Sequence, residues 1–266
     1  APTDALPATD DLPQLPDSAT ADRSSTGEAA ESTDLPASAQ AAPTLDLVRV
    51  RTDVLDVWIN PAGGDLFSAT LPEYPVHKDR PNESVSLLSG DPESIFAIDA
   101  GLRSLDGAPE PNHLAVFTPE RTDYILADGQ NELVVVLNWQ GENGLSGTKR
   151  YRFRRGSYAI DLEQTIDNGS AAPYRAVSYL QIRRRHAPPK RSMFDVDSYS
   201  FVGPVVYDGE KYEKYDADDL LEEPFEQVIT GGWIASIQHH FLAAAVPSGD
   251  RARQYVATYD GKNTLL

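Results

Sequence analysis

Hydrophobic side chains recur at every second position in short segments from residue 47 onward. Leu55, Val57 and Ile59 share one face of a predicted strand, while Asp56 and Trp58 share the other. A run rich in Gly and Pro follows and ends this strand. Such alternation is typical of antiparallel strands that bury one face and leave the other in water.

Later segments repeat this pattern, with turn-forming Gly, Asn and Asp residues between them. Four of them predict a meander of antiparallel strands: 133–139, 148–155, 158–166 and 174–182. Further strands are predicted at 200–207, 228–238, 241–246 and 254–259. One short helical turn is predicted in 218–225, where Pro224 limits its length. Ten or more strands without alternating helices predict an all-β fold, a large sandwich of packed sheets.

Residues 1–46 differ in composition from the rest. They hold nine acidic residues and one basic residue, Arg23, and the first aromatic residue of the chain is Trp58. Such a segment buries too little apolar surface to offset its ordering entropy, so we predict a disordered acidic linker over 1–46. As a flexible coil it would span about 40 Å, the length of a tether. The alternative is a disordered tail without a role.

The folded domain is predicted to cover 47–266. Its final residues stop within a strand-and-turn pattern, so we expect the natural domain to continue past Leu266. The chain holds 41 acidic and 23 basic residues, a net charge of -18, and 32 of the acidic and 22 of the basic residues lie in 47–266. This balance disfavours nucleic acid and anionic lipid as partners. The absence of Cys excludes disulfides and thiolate chemistry.

Two basic clusters are candidate nucleic-acid sites. The first comprises Lys149, Arg150, Arg152, Arg154 and Arg155, and alternation places the intervening Tyr151 and Phe153 on the face opposite Arg150, Arg152 and Arg154. The rings are therefore predicted to be buried and unable to stack on bases. The second comprises Arg183, Arg184, Arg185, His186, Lys190 and Arg191, and it predicts an exposed loop after a strand.

Candidate metal ligands are few. His239 and His240 are adjacent, and on a strand they would point to opposite faces and not share an ion. His77, His113 and His186 lie in turn-rich stretches and are predicted to be solvated. The acidic run 216–223 lacks the Gly that a calcium-binding EF-hand loop needs at its sixth position, where Leu221 stands. We therefore predict no metal ion and no cofactor.

Catalytic signatures are missing from the sequence. It contains no G-x-S-x-G elbow, no H-E-x-x-H pair and no P-loop. The chain is accordingly predicted to have no catalytic residue and not to be an enzyme.

Several blocks, in a fixed order, resemble one family, the periplasmic domain of YidC-type membrane protein insertases. These blocks are TDVLDVWIN at 52–60, GGD at 63–65, LPEYP at 71–75, YILADGQNEL at 124–133, RGSYAI at 155–160, KYEKY at 211–215, and GGWIA at 231–235 running to Val246-Pro247. They cover nearly all of residues 47–266.

The resemblance implies a β-supersandwich similar to galactose mutarotase, on the periplasmic side of the inner membrane of a Gram-negative bacterium. It also implies a parent protein that is embedded in the membrane and inserts other membrane proteins, alone or with the Sec translocon. The domain is then expected to dock partners such as SecF or SecD, or to contact nascent membrane proteins.

Candidate contact residues follow from composition, since segments rich in Tyr with mixed charge are common at interfaces. They are Tyr207, Lys211, Tyr212, Lys214 and Tyr215. The alternative is that these tyrosines pack across strands. Two other functions stay open: a sugar-binding or aldose-mutarotase-like protein, which needs a carboxylate opposite a His, and a structural spacer without a partner. No His of the sequence stands in a context that suggests such a carboxylate.

Overall fold

The structure, a computed structural model, describes residues 46–187 and 200–266. The predicted linker 1–46 therefore lies outside the described residues, apart from Asp46, and so do Lys190 and Arg191 of the second basic cluster. The described residues form antiparallel sheets almost throughout, as the sequence predicts.

The described ranges contain eighteen strands and one short helix. The strands are β1 Val48–Arg51, β2 Asp56–Asn60, β3 Asp65–His77, β4 Arg80–Leu88, β5 Phe96–Ser104, β6 Thr118–Pro119, β7 Asp123–Ile125, β8 Glu132–Gln140, β9 Leu145–Arg154, β10 Ile160–Asn168, β11 Ala176–Arg185, β12 Val202–Tyr207, β13 Tyr212–Lys214, β14 Phe225–Thr230, β15 Trp233–Gln238, β16 Phe241–Ala245, β17 Ala252–Tyr259 and β18 Asn263–Leu265. The helix α1 is Ala217–Glu222.

The strands assemble into three sheets. The first has ten strands in the order β14-β17-β18-β11-β5-β3-β2-β1-β7, with β4 paired to β3. The second has the order β10-β9-β8-β6, and the third has the order β13-β12-β15-β16. The β1–β7 pair is parallel, an exception to the antiparallel pairing.

One hydrophobic cluster contains residues from all three sheets. It includes Ile59 of the first sheet, Val135 and Phe153 of the second, and Val206 and Ile234 of the third. Each of these side chains is at most 5% exposed. Burial of this apolar surface is the main force that holds the sheets together.

The predicted four-strand meander is wrong in its last strand. β8, β9 and β10 pair consecutively, but β11 leaves this sheet and pairs with β5 and β18. The fully buried Ile182 of β11 lies opposite Ile98 of β5. Alternation along a strand identifies its buried face but not its neighbour, because the neighbour is chosen by contacts distant in sequence.

The predicted strand 228–238 is also wrong, since it is two strands in different sheets. β14 pairs with β17 in the first sheet, and β15 pairs with β12 and β16 in the third. Gly231 separates them with φ of +72°, a backbone conformation that Gly adopts without steric cost. The predicted helical turn is confirmed as α1, which ends before Pro224.

Candidate functional site

One cationic side chain of the second sheet, that of Lys149, lies in the interior. Lys149 on β9 is 1% exposed, because the same alternation that buries Tyr151 and Phe153 directs Lys149 to their side of the strand. Its Nζ donates to the Gly63 carbonyl at 2.5 Å, the Ala100 carbonyl at 2.6 Å and the Asp65 Oδ1 atom at 2.9 Å. These acceptors match the three protons of an ammonium group.

The glycine turn before β3 makes this contact possible. Gly63 has φ of +94°, and a Cβ atom there would lie 2.2 Å from Asp65 Oδ2 and 2.5 Å from the His113 carbonyl oxygen. The next residue, Gly64, accepts a hydrogen bond of 2.7 Å from the Tyr151 hydroxyl. Only Gly fits at position 63, because the backbone, a carboxylate and a neighbouring loop meet there.

Asp65 is buried beside Lys149. Its Oδ1 atom also accepts a hydrogen bond of 2.9 Å from the Ala100 amide. Burial, assisted by the nearby Asp99, raises the pKa of Asp65 to about 7 although Lys149 acts in the opposite direction. Desolvation and the same carboxylates raise the pKa of Tyr151 well above its ordinary value.

A second buried carboxylate lies next to the first. Asp99 on β5 is 5% exposed and forms an ion pair of 3.1 Å with Arg183 on β11. Gln181, two residues before Arg183 on β11, lies directly opposite Asp99 in the strand pairing and donates to it through its Nε2 atom at 3.5 Å. Each of the two buried carboxylates thus has a cationic partner.

A cavity of about 210 Å³ opens between these groups. Asp65, Asp99, His113 and Arg183 contribute to its wall, together with Asn60. The cavity therefore presents both hydrogen-bond donors and acceptors in a confined space.

His113 is not simply solvated, contrary to the prediction from its turn-rich surroundings. It is half-buried, its Nδ1 atom lies 2.5 Å from the Tyr179 hydroxyl, and its backbone amide donates to the same oxygen at 3.0 Å. Tyr179 reaches it by crossing Gly101 of β5, where a Cβ atom would lie 2.6 Å from the hydroxyl oxygen. Desolvation raises the pKa of Tyr179 above its ordinary value. His186 is likewise half-buried, against the Tyr259 ring.

The structure corrects the sequence analysis on the second basic cluster as well. Arg183, Arg184 and Arg185 belong to β11 and are not an exposed loop. Arg184 donates to Ser236 Oγ at 2.9 Å and to the Ile237 carbonyl of β15, and thus links the first sheet to the third. Burial lowers the pKa of Arg184 to about 10.

The five predicted contact residues lie together on the β12–β13 hairpin. Tyr207 ends β12, Lys211 is in the turn, Tyr212 and Lys214 lie in β13, and Tyr215 follows it. Of the three tyrosines, Tyr212 is the most accessible, with 62% of its surface exposed.

Tyr207 and Tyr215 pack against other aromatic rings. The Tyr207 ring stacks on Trp233 with centroids 5.5 Å apart, and the Tyr215 ring lies 5.0 Å from that of Phe225. Strand pairing sets Tyr212 opposite Tyr207, and Tyr207 opposite Trp233. We call this row of three rings the aromatic row. Packing across strands therefore accounts for Tyr207 and Tyr215, while Tyr212 extends the row to the edge of the sheet.

The charged residues of the hairpin bind one another. Lys211 pairs with Glu213, and Glu213 also accepts a hydrogen bond of 2.9 Å from the Tyr215 hydroxyl. These two bonds lower the pKa of Glu213. Desolvation, together with the bond to Glu213, raises the pKa of Tyr215 to about 12. The Lys214 ammonium lies 5.1 Å from the centre of the Phe201 ring.

His239 and His240 do not lie on a strand, so alternation along a strand does not decide where their side chains point. They form the two-residue turn between β15 and β16, and His239 has φ of +52°. Within 46–187 and 200–266, no group of three or more His, Asp or Glu side chains could hold a metal ion. No helix in that part of the chain has the length and apolar composition for crossing a membrane.

Residues 47–265 match the family described as the YidC periplasmic domain. The chain belongs to this family. Its relatives include proteins named "Membrane protein insertase YidC". That of Thioalkalivibrio sulfidiphilus is 39% identical over 82% of this chain and 39% of its own length. That of Coxiella burnetii strain RSA 331 is 38% identical over 77% of this chain and 36% of its own length. That of Pseudomonas fluorescens is 33% identical over 89% of this chain and 43% of its own length. The chain thus spans less than half the length of these relatives.

Two blocks that carry the family resemblance coincide with the two regions just described. The block GGD at 63–65 supplies the turn and the carboxylate that surround Lys149. The block KYEKY at 211–215 forms β13 and its flanks. Sequence reasoning found the second region but missed Lys149, although its position two residues before Tyr151 places it on the face predicted to be buried.

Proposed function

We propose that this chain is the periplasmic domain of an insertase that assists insertion and folding of inner-membrane proteins, alone or with the Sec translocon. Membership of the YidC periplasmic domain family over residues 47–265 carries the proposal. The names of the relatives support it. Since the chain matches only 36–43% of the length of three of them, insertion itself belongs to the remainder of such a protein.

The domain contributes by binding and not by catalysis. Asp65 and Asp99 are each held by a buried or half-buried cation. Both carboxylates are buried and engaged in these ion pairs, which is a structural role. The cavity is then a polar part of the interior.

The β12–β13 hairpin is the docking surface in this proposal. Its exposed Tyr212 lies opposite Tyr207, which stacks on Trp233. The adjacent Lys211, Glu213 and Lys214 carry both signs of charge. Aromatic residues are enriched in the centres of interfaces, and the rim around them is polar. The partner is an accessory subunit of the Sec translocon, SecF or SecD, and the same face meets emerging membrane proteins.

Site-specific photo-cross-linking in intact cells tests this assignment. A photoreactive amino acid replaces Tyr212 in the full-length protein that carries the domain, and Val228 is replaced as the control. Val228 is 72% exposed on β14, in a different sheet, so it matches the accessibility without sharing the hairpin. Cross-links to SecF or SecD are expected from position 212 and not from position 228.

Equal cross-linking from both positions would count against the hairpin. Deletion of residues 47–266 from the full-length protein decides between docking and the spacer function. Unchanged recovery of SecF and SecD after this deletion would favour a spacer without a partner, while their loss supports docking.

A further inference from the structure

Two turns of the chain contain an Asn followed by Gly, and they touch. Asn143-Gly144 lies between β8 and β9, while Asn168 is the last residue of β10 and Gly169 follows it. The Gly169 amide donates to the Gly144 carbonyl at 3.0 Å. Both Asn side chains are exposed. The pair offers a comparison of the same dipeptide in two environments within one molecule.

An Asn-Gly sequence can react with itself. The Gly amide nitrogen loses its proton and attacks the Asn side-chain carbonyl carbon, which forms a five-membered succinimide and releases ammonia. Water then opens the ring at either carbonyl and gives aspartate or isoaspartate. Gly favours this attack because it has no Cβ to obstruct the approach. The reaction needs a free amide nitrogen and a mobile side chain.

Asn168 meets neither condition. Its Nδ2 atom donates to the Ala172 carbonyl at 2.8 Å, and its Oδ1 atom accepts from the Ser170 amide at 3.0 Å and the Ser170 hydroxyl at 2.6 Å. The attacking nitrogen, that of Gly169, is itself engaged with the Gly144 carbonyl. Several hydrogen bonds must therefore break before the ring can form.

Asn143 meets both conditions. It lies in a tight turn closed by the Leu145 amide and the Glu142 carbonyl at 3.1 Å, with positive φ at Asn143 (+56°) and Gly144 (+79°). This is the geometry that Asn-Gly favours in hairpins. Among the described residues, neither its side chain nor the Gly144 amide has a hydrogen-bond partner.

We propose that Asn143 is a site of spontaneous deamidation, and that Asn168 is protected by its hydrogen bonds and by that of Gly169. Conversion of Asn143 to isoaspartate adds a backbone atom to the turn and displaces the Gly144 carbonyl. The Gly169 amide then loses its acceptor, so damage in the first turn loosens the second.

Peptide mapping by mass spectrometry tests the proposal on the full 266-residue chain. The protein is incubated in warm, mildly alkaline buffer, and fragmentation that distinguishes aspartate from isoaspartate follows both sites with time. Asn143 is expected to convert roughly tenfold faster than Asn168, because each bond to be broken slows the reaction. In denaturant the two rates should be similar. Equal rates in the folded chain, or faster conversion of Asn168, would overturn the proposal.

A matched variant separates protection by hydrogen bonds from other causes. Ser170→Ala removes the hydroxyl that donates to Asn168 Oδ1. It should raise the deamidation rate of Asn168 roughly fivefold and leave that of Asn143 unchanged. An unchanged rate at Asn168 would contradict the mechanism. Asn143→Ser should abolish modification at the first turn, and hydrogen exchange at the Gly169 amide should speed up only in chains modified at Asn143.

Discussion

The Nζ atom of Lys149 lies 2.9 Å from the Oδ1 atom of Asp65, in the interior between the first and second sheets. The side chains of this pair are 2% and 8% exposed. A buried ion pair gains little over a well-packed apolar pair, but loss of one partner leaves the other without its counter-charge. Removal of one partner is therefore expected to cost more stability than replacement of both by apolar residues.

Replacement of the cation is the most direct test of this role. In Lys149→Met the carbonyls of Gly63 and Ala100 and the carboxylate of Asp65 lose their donor. We expect a loss of about 1–3 kcal/mol in the free energy of unfolding, measured by chemical denaturation. The pKa of Asp65 should rise further, as followed by NMR, because Lys149 is the cation that opposes the rise.

Arg150→Met provides the control for this change. Arg150 is the next residue on β9 and points to the exposed face. Its replacement should alter the free energy of unfolding by no more than about 0.5 kcal/mol. Similar losses in the free energy of unfolding of both variants would show that the buried Lys149 contributes no more to stability than the exposed Arg150.

The raised pKa of Asp65 sets the sign of a pH dependence. The folded chain holds this proton up to about pH 7, whereas the unfolded chain releases it near the ordinary value of 3.8. The unfolded state is therefore favoured increasingly as pH rises through this window, so the stability that Asp65 contributes is full below 3.8 and declines toward 7. The stability of the native chain relative to Asp65→Asn should fall over the same range.

Asp106 provides a control, because its contribution to stability should depend on pH with the opposite sign. Hydrogen bonds from Arg175 lower the pKa of this carboxyl, so its contribution should decline as pH falls. The opposite result would be a stability of the native chain, relative to Asp65→Asn, that grows with pH. That result would show that the charge of Lys149 affects the pKa of Asp65 more than burial does.

Close approach of Tyr179 to β5 predicts that position 101 accepts only Gly. A Cβ atom there would lie 2.6 Å from the Tyr179 hydroxyl and 2.8 Å from the Asn112 Cα. Gly101→Ala should lower the free energy of unfolding by about 1–3 kcal/mol through overpacking. It should also displace the tyrosine from His113, visible as a shift of the His113 ring resonances. Ser178→Ala, at an exposed neighbouring position, should do neither.

Arg184 links two sheets without a carboxylate among its hydrogen-bond partners. In Arg184→Met, Ser236 and the Ile237 carbonyl lose their donor, and we expect a destabilisation of about 1–3 kcal/mol in chemical denaturation. Hydrogen exchange should increase at β15 and much less at β8. Uniform loss of protection across all three sheets would instead point to global destabilisation without a local link.

Sequence patterns identified strands well where alternation decided burial. Tyr151 and Phe153 are buried as predicted, at 2% and 1% exposure. The same reasoning failed at 228–238, because a pair of glycines inside an apolar run can either bend one strand or separate two. Only the pairing partners of β14 and β15 distinguish these outcomes.

The two candidate sites differ in how much of each could be predicted from the sequence. The β12–β13 hairpin is local, so its tyrosines and lysines were found together, and the block at 211–215 indicated the family. The polar interior is not local, since Asp65, Asp99 and Lys149 come from three strands that are distant in sequence. No spacing rule connects such residues before the sheets are assembled.

The sequence alone determined that this protein is built from strands, which face of each strand is apolar, and to which family the chain belongs, because alternation and short motifs are local properties. The tertiary structure decided that β11 joins the first sheet, that Lys149 and Arg184 are buried, and that His113 meets Tyr179. These outcomes depend on which distant surfaces pack together. Burial in turn, more than residue type, decides whether a charge is solvated or must find a partner.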